Sequence, residues 1–373
     1  MENNLKDTSG QNYYLGIEHQ FFTNMLFRVN YQGSLGRHEP ILMNYNRYDG
    51  DAYNASLSPK RPNALYTGFN YRALGVNSSY NALVLELQKR MSNGLQVQGS
   101  YTWSKLIDTN SELFAGSTVT GGNTQPYYYV SNQHQNLEKG LGAFNHTQNW
   151  KANISYELPF LRSQQGVIGH VLGGWQLNGF YQGYSGHPIE VYNSRTRRKG
   201  NALDANGIPE NLGGDYNLDG VGNDHPDFVG SNFNAVYSTN SPADGIFVDN
   251  NLIGCGFSGQ ASTNTAACNT AFGVGTPNAL FVNPKGTGVR FGNLGRNVFH
   301  GPWFNVLDAS LFKNIKMGES KQLQFRFEAL NSLNHPNFDG VVSNLNSAQF
   351  GKAQFLIGAA PARRLQLGLR YSF

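Results

Sequence analysis

The sequence predicts an all-β fold, an antiparallel transmembrane β-barrel segment with long extracellular loops. Three observations carry that reading: period-2 alternation of apolar and polar residues, strands of about 9–13 residues, and connectors that are short and long by turns. The composition agrees with it. The 373 residues are 39% hydrophobic but only 14% charged, with 44 Gly, 20 Tyr and 24 Phe, where a soluble domain carries about a quarter charged residues. Mean hydropathy is −0.45, and no run approaches 18 consecutive apolar residues, which excludes helical membrane spans. A net charge of +4 from 28 basic and 24 acidic residues leaves no nucleic-acid footprint.

The strands follow in chain order. A first segment near 11–20 alternates loosely. Met25, Phe27, Val29 and Tyr31 then oppose Arg28, Asn30 and Gln32. Leu83, Leu85 and Leu87 oppose Glu86, Gln88 and Arg90, and a Ser92-Asn93-Gly94 turn leads into Leu95, Val97, Gly99, Tyr101 and Trp103 against Gln96, Gln98, Ser100 and Thr102. Trp150, Ala152, Ile154, Tyr156 and Leu158 oppose Lys151, Asn153, Ser155 and Glu157. Segments near 172–184 and 303–314 follow more loosely. Leu323, Phe325, Phe327 and Ala329 oppose Gln322, Gln324, Arg326 and Glu328. Leu365, Leu367, Leu369, Tyr371 and Phe373 close the chain against Gln366, Gly368, Arg370 and Ser372.

A β-sandwich alternates too, with its apolar faces in a shared core. Membrane strands need about 9–11 residues and aromatic residues near the interfaces. Tyr101/Trp103, Tyr156, Tyr181, Trp303/Phe304 and Tyr371/Phe373 sit near strand ends and favour the membrane. Connectors decide further: short ones at 20–24, 92–94, 159–171 and 315–320 alternate with long ones at 36–79, 108–146, 185–302 and 333–361. With Phe373 on the periplasmic side, every short turn is periplasmic and every long loop extracellular. The same parity starts Met1 outside, and nine strands is an odd number where bacterial barrels are even. The chain therefore reads as the C-terminal part of a larger barrel. Its N-terminus, MENNLKDTSG, has neither a basic nor an apolar signal region, so an export signal is expected elsewhere.

Four stretches carry a family resemblance: SYNALVLELQKRMSNGLQVQGSYTWSKLID (79–108), FGNLGRNVFHGPWFNVLDASLFKN (291–314), FRFEALNSLNHPNF (325–338) and RRLQLGLRYSF (363–373). In order and in spacing to the terminal Phe they resemble TonB-dependent outer-membrane receptors of the Oar-like group, which have carboxypeptidase-regulatory-like N-terminal domains. The resemblance implies a 22-stranded barrel, of which this chain supplies about the last nine strands. It also implies Tyr371 and Phe373 as the C-terminal signal read by the barrel-assembly machinery. Lumen-facing Glu86, Arg90, Lys151, Glu157, Arg326, Glu328 and Arg370 would meet the plug or line the path. The TonB box, the plug, the regulatory-like domain and the first strands have no counterpart in this sequence, so TonB would act only through that N-terminal part. Outer-membrane lipid, lipopolysaccharide and an unknown ligand are the remaining expected partners.

Candidate sites fall in the loops. In the loop 185–302, Asp215, Asn217, Asp219, Val221, Asn223 and Asp224 form a D-x-N-x-D-G run like the first half of a calcium loop. Pro226 stands where the bidentate acid belongs, and a plain Asn/Asp/Gly turn cluster is the alternative. No cofactor is required by the sequence; Ca²⁺ in this loop is the one candidate. Cys255 and Cys268 fit one loop-closing disulfide, which an oxidising compartment would allow, or two unpaired thiols. Arg195, Arg197, Arg198 and Lys199 form a basic run suited to lipopolysaccharide phosphates or to plain solvation. Enzymatic motifs are absent: there is no H-E-x-x-H, G-x-S-x-G or phosphate loop, and Gly273-Val-Gly275 lacks a strand–helix context. The functional expectation is the barrel portion of a transporter that takes a ligand at its loops and imports it past a plug. The rivals are a surface-binding or adhesion protein without import and a secreted β-sandwich carbohydrate-binding module.

Overall fold

The computed structural model describes residues 6–47, 61–66, 70–111, 118–119, 123–124, 135–193, 214–217, 224–237, 280–282, 291–318, 321–345, 347, 349–358 and 362–373. Nine long strands cross one antiparallel sheet in chain order. They are β1 (Ser9–Phe21), β2 (Met25–Asn44), β3 (Asn70–Ser92), β4 (Leu95–Asp108), β5 (Gln148–Glu157), β6 (Trp175–Tyr184), β7 (Phe304–Lys316), β8 (Gln322–Leu330) and β9 (Arg364–Ser372). Among the described residues the outer sides of β1 and β9 pair with no strand.

The register sorts side chains by face, because residues opposite each other across a ladder point the same way. One apolar row runs Leu95–Tyr156–Leu177–Leu311–Phe327–Leu367 across six strands. The opposite face carries Gln96–Ser155–Asn178–Ser310–Glu328–Gln366 over the same strands. Leu177, Phe325, Phe327, Leu365, Leu367 and Leu369 all stand exposed on the apolar face. Among the described residues no second sheet packs on them as in a sandwich, and a contiguous bare apolar face of this kind belongs against lipid. Among the described residues no helix is long and apolar enough to cross a membrane, which bears only on helices.

Aromatic rings mark both ends of that face. Tyr101 stacks on Trp150 and Trp150 on Trp303, each at 5.4 Å, beside the long connectors. Tyr371 stacks on Phe373 at 5.9 Å at the short-turn end.

The connectors keep the expected alternation but differ in detail. The turn after β3 has two residues, since Ser92 pairs with Leu95. Asn93 and Gly94 both have positive φ, 52° and 81°, which is the mirror-image hairpin turn that Asn-Gly favours. The connector 36–79 is shorter than expected because β2 and β3 continue as a paired arm. The register shifts at Gly36, Glu39 and Pro40, then resumes through Ile41↔Ala73 to Asn44↔Asn70. Buried Ile41, Ala73 and Val76 form a small core on the arm.

The connector 159–171 contains a seven-residue helix, α1 (Gly166–Leu172), where no helical element is expected. Local contacts hold it. Lys313 Nζ donates to the carbonyls of His170, Val171 and Gly173 at the helix end, and Trp175 Nε1 donates to Val171 O at 3.2 Å. A cation on the carbonyls at the helix end is favourable by both hydrogen bonding and the helix dipole.

Candidate functional site

The long connectors after β4, β6 and β8 pack together into a cap at one end of the sheet. Its apolar core is Ile189, Val191, Phe228, Val236, Phe281, Leu294, Phe299, Val341, Leu345 and Phe350, all buried. Phe281 meets Phe299 edge-on at 5.7 Å and Phe350 likewise at 5.7 Å. Each fully buried Phe is worth about 1.5–3 kcal/mol relative to an exposed one. Short pairings stitch the segments: Pro188–Ile189 with Phe299–His300, Asp227–Phe228 with Phe281–Val282, and Phe338–Val341 with Ala353–Leu356. The Asn293 side chain mimics a further strand, accepting from Phe228 N at 2.7 Å and donating to Phe228 O at 3.1 Å.

Beneath this core lies a buried polar cluster. Gly140–Leu141 pairs with Ile107–Asp108 at the top of β4 and so fixes Glu138 just before it. A side chain at Gly140 would meet Arg296 O at 2.5 Å, so glycine permits the close approach. Arg296 reaches back to the strand end: its Nη1 donates to Asp108 Oδ1 at 2.5 Å and its Nη2 to Ser111 Oγ at 2.7 Å. Nη1 also lies 3.3 Å from the carbonyls of Asp108 and Glu138. His225 Nδ1 lies 3.1 Å from Leu294 O and its Nε2 3.0 Å from Glu190 Oε1. Burial acts first on His225, lowering its pKa. The Glu190 hydrogen bond and the charges of Glu138, Glu190 and Asp224 override burial and hold the imidazole up at about 9.

A second histidine group lies at the base of the cap. The His146 and His187 rings are 4.3 Å apart, and His146 Nδ1 is 2.6 Å from Ser185 O. Burial pushes His146, His187 and His300 below the usual imidazole range, and for His146 the neighbouring His187 adds to the effect.

The sequence-derived candidates separate into those brought together and those left apart. Asp215, Asn217 and Asp224 are buried side by side, with Asp224 Oδ2 accepting from Tyr216 N at 2.6 Å and Asn217 N at 3.2 Å. This is a carboxylate closing its own loop through backbone N–H groups. Asp219, Val221 and Asn223, the basic run 195–199, Cys255 and Cys268, and Gly273–Gly275 all lie outside the described residues.

On the polar face of the sheet, Glu86 and Lys151 fall in one row, Glu18–Arg28–Glu86–Ser100–Lys151–Gln182. Arg28 pairs with Glu18 and, at 3.5 Å, with Glu86. Glu157 sits opposite Gln176, and Arg370 opposite Gln324. Arg326 Nε donates to Gln324 Oε1 at 2.6 Å, and its guanidinium lies 5.0 Å over Phe312. Glu328 stands in the second polar row described above. Arg90 donates its backbone N–H to Asn24 O at the short-turn end. Sequence reasoning missed Glu138, Glu190, His225, Arg296 and Asp108, which no local motif connects.

The family model described as "Outer membrane beta barrel domain" matches residues 1–366. No curated protein matches the chain. Three solved structures align with 99% of it. The outer membrane transporter YddB from Escherichia coli is 9% identical, with a TM-score of 0.41 over 33% of that chain. FpvA from Pseudomonas aeruginosa bound to heterologous pyoverdines is 11% identical, with a TM-score of 0.40 over 28% of that chain. The pyoverdine outer membrane receptor FpvA bound to pyoverdine is 10% identical, with a TM-score of 0.39 over 30% of that chain. The chain spans about a third of the length of these structures.

Proposed function

Starting from its membership of the outer membrane β-barrel domain family, we propose that this chain is the C-terminal barrel portion of an outer-membrane TonB-dependent transporter. The packed cap takes up a ligand from outside, and the polar face of the sheet lines its route past a plug. The supporting observation is the two-faced register: one bare apolar face for lipid, one polar face with Arg28, Glu86 and Lys151 in a row, and a folded cap where the long connectors converge. Open edges at β1 and β9 would leave backbone groups unpaired in lipid, so the proposal requires further strands to complete the barrel. Those strands, the plug and TonB are partners of the whole assembly.

The test compares depletion of medium components by cells with and without the gene, each in tonB-positive and tonB-negative backgrounds. Import predicts a component that enters cells only when both are present. A component that binds the cells equally in both tonB backgrounds and washes off the surface would contradict import and support surface binding alone.

A further inference from the structure

We propose that Glu138, Glu190 and His225 form a binding site for one divalent transition-metal ion of the zinc class, which clips three segments of the cap together. The site lies in the cap and stands whether or not the chain imports a ligand. Each residue offers one ligand atom, and the three atoms lie within 4.8 Å of one another. All three residues are buried, with relative exposures of 4%, 1% and 5%.

The hydrogen bonds of His225 show where a metal ion could replace the proton that it shares with Glu190. Leu294 O can only accept, so Nδ1, 3.1 Å away, carries the ring hydrogen. In the neutral ring Nε2 then presents a lone pair to Glu190 Oε1 at 3.0 Å. Two acceptors face each other only with a proton or a metal ion between them. Metal-bound histidines are commonly oriented in this way, through a carbonyl on the other ring nitrogen. Ligand distances of about 2.1 Å at the tetrahedral angle place N and O about 3.4 Å apart, so the 3.0 Å contact would widen by about 0.4 Å to take the ion.

Glu190 supplies the second, independent observation. Its Oε2 is buried and has no hydrogen-bond partner, although a buried carboxylate oxygen left bare is strongly unfavourable. An ion held by both Glu190 oxygens would satisfy it. One nitrogen with carboxylate oxygens suits zinc, cobalt or manganese, whereas calcium prefers oxygen alone. Glu138 comes from the connector after β4, and Glu190 and His225 from two distant segments of the connector after β6, so the ion would close long loops around the cap.

The full chain, extracted in detergent and stripped of metal, is titrated with Co²⁺ and then with Zn²⁺. Visible d–d absorption and elemental analysis are the readouts. The proposal predicts one equivalent of Co²⁺ with an imidazole-ligated spectrum, displaced by Zn²⁺. Glu190→Gln and His225→Gln should each weaken binding at least tenfold, while Asp215→Asn leaves it unchanged. If the variants fail to fold, X-ray absorption on the Co²⁺-loaded wild type replaces them, with nitrogen and oxygen neighbours expected. The proposal is overturned by no binding, which means a proton alone bridges His225 and Glu190. Wild-type affinity in both variants, or sulfur neighbours that place the ion at Cys255 and Cys268, would overturn it as well.

Discussion

Arg296 and Asp108 lie 188 residues apart in the chain and meet in a buried pair at the top of β4. Removing one partner of such a pair leaves the other charge uncompensated, which costs about 3–5 kcal/mol. Asp108→Asn should therefore loosen the cap while leaving the sheet in place. Limited proteolysis of membranes would show earlier cleavage within 109–147 and 185–303, with the strands still protected. The histidines at the cap base give a pH dependence with a definite sign. Because burial lowers the pKa values of His146, His187 and His300 in the folded state, the unfolded chain binds protons more readily. Their contribution to stability is then complete above the ordinary imidazole value of about 6.5 and is lost as pH falls below it. His225, held up at about 9, contributes in the opposite sense, so the comparison is with His146→Phe: between pH 8 and 5 the wild-type cap should lose more protease resistance, relative to that variant, on the acid side. At this scale the sequence was least legible. Asp215, Asn217 and Asp224 stood out because they share one local motif. Glu138 sits in one connector and Glu190, His225 and Arg296 at distant points of another, and they acquire meaning only when Gly140 lets the Arg296 backbone approach β4.

The elements were largely legible, because half-buried strands write their two faces into the sequence at period 2. All nine strands appear in the expected order, and even the loosely patterned β6 and β7 pair in register. Two features escaped for physical reasons. The outer arm of β2 and β3 lies beyond a register shift at Gly36, Glu39 and Pro40, where the alternation slips and a strand looks like a loop. Helix α1 has seven residues, too few for a 3.6-residue period to declare itself, and depends on Lys313, far along the chain, for its last carbonyls. The Asn93-Gly94 turn yields a sharp prediction. At φ of 81° a side chain is strained by about 1–2 kcal/mol, and a Cβ on Gly94 would sit 2.6 Å from Glu157 O. Gly94→Val should slow assembly, measured as a smaller fraction of heat-modifiable, folded protein on gels. Asn93→Gly should leave that fraction unchanged.

Over the whole molecule, a chain without one long apolar run turns out to have one continuous apolar surface. Half of each strand faces that surface and half faces the polar rows, which is why mean hydropathy stays at −0.45. The sheet belongs in the outer membrane, and its long connectors fold into a cap with a core of its own. Apolar and polar residues thus alternate between lipid and water along every strand. The direct measurement places a spin label singly at each position from 323 to 329 on β8 in lipid bilayers, with the two cysteines replaced. Collision rates with oxygen and with a water-soluble nickel chelate then report each site's surroundings. The account predicts that Leu323, Phe325, Phe327 and Ala329 favour oxygen, that Gln324, Arg326 and Glu328 favour the nickel chelate, and that the ratio oscillates with period two. Nickel-chelate access at all seven positions, without oscillation, would contradict it.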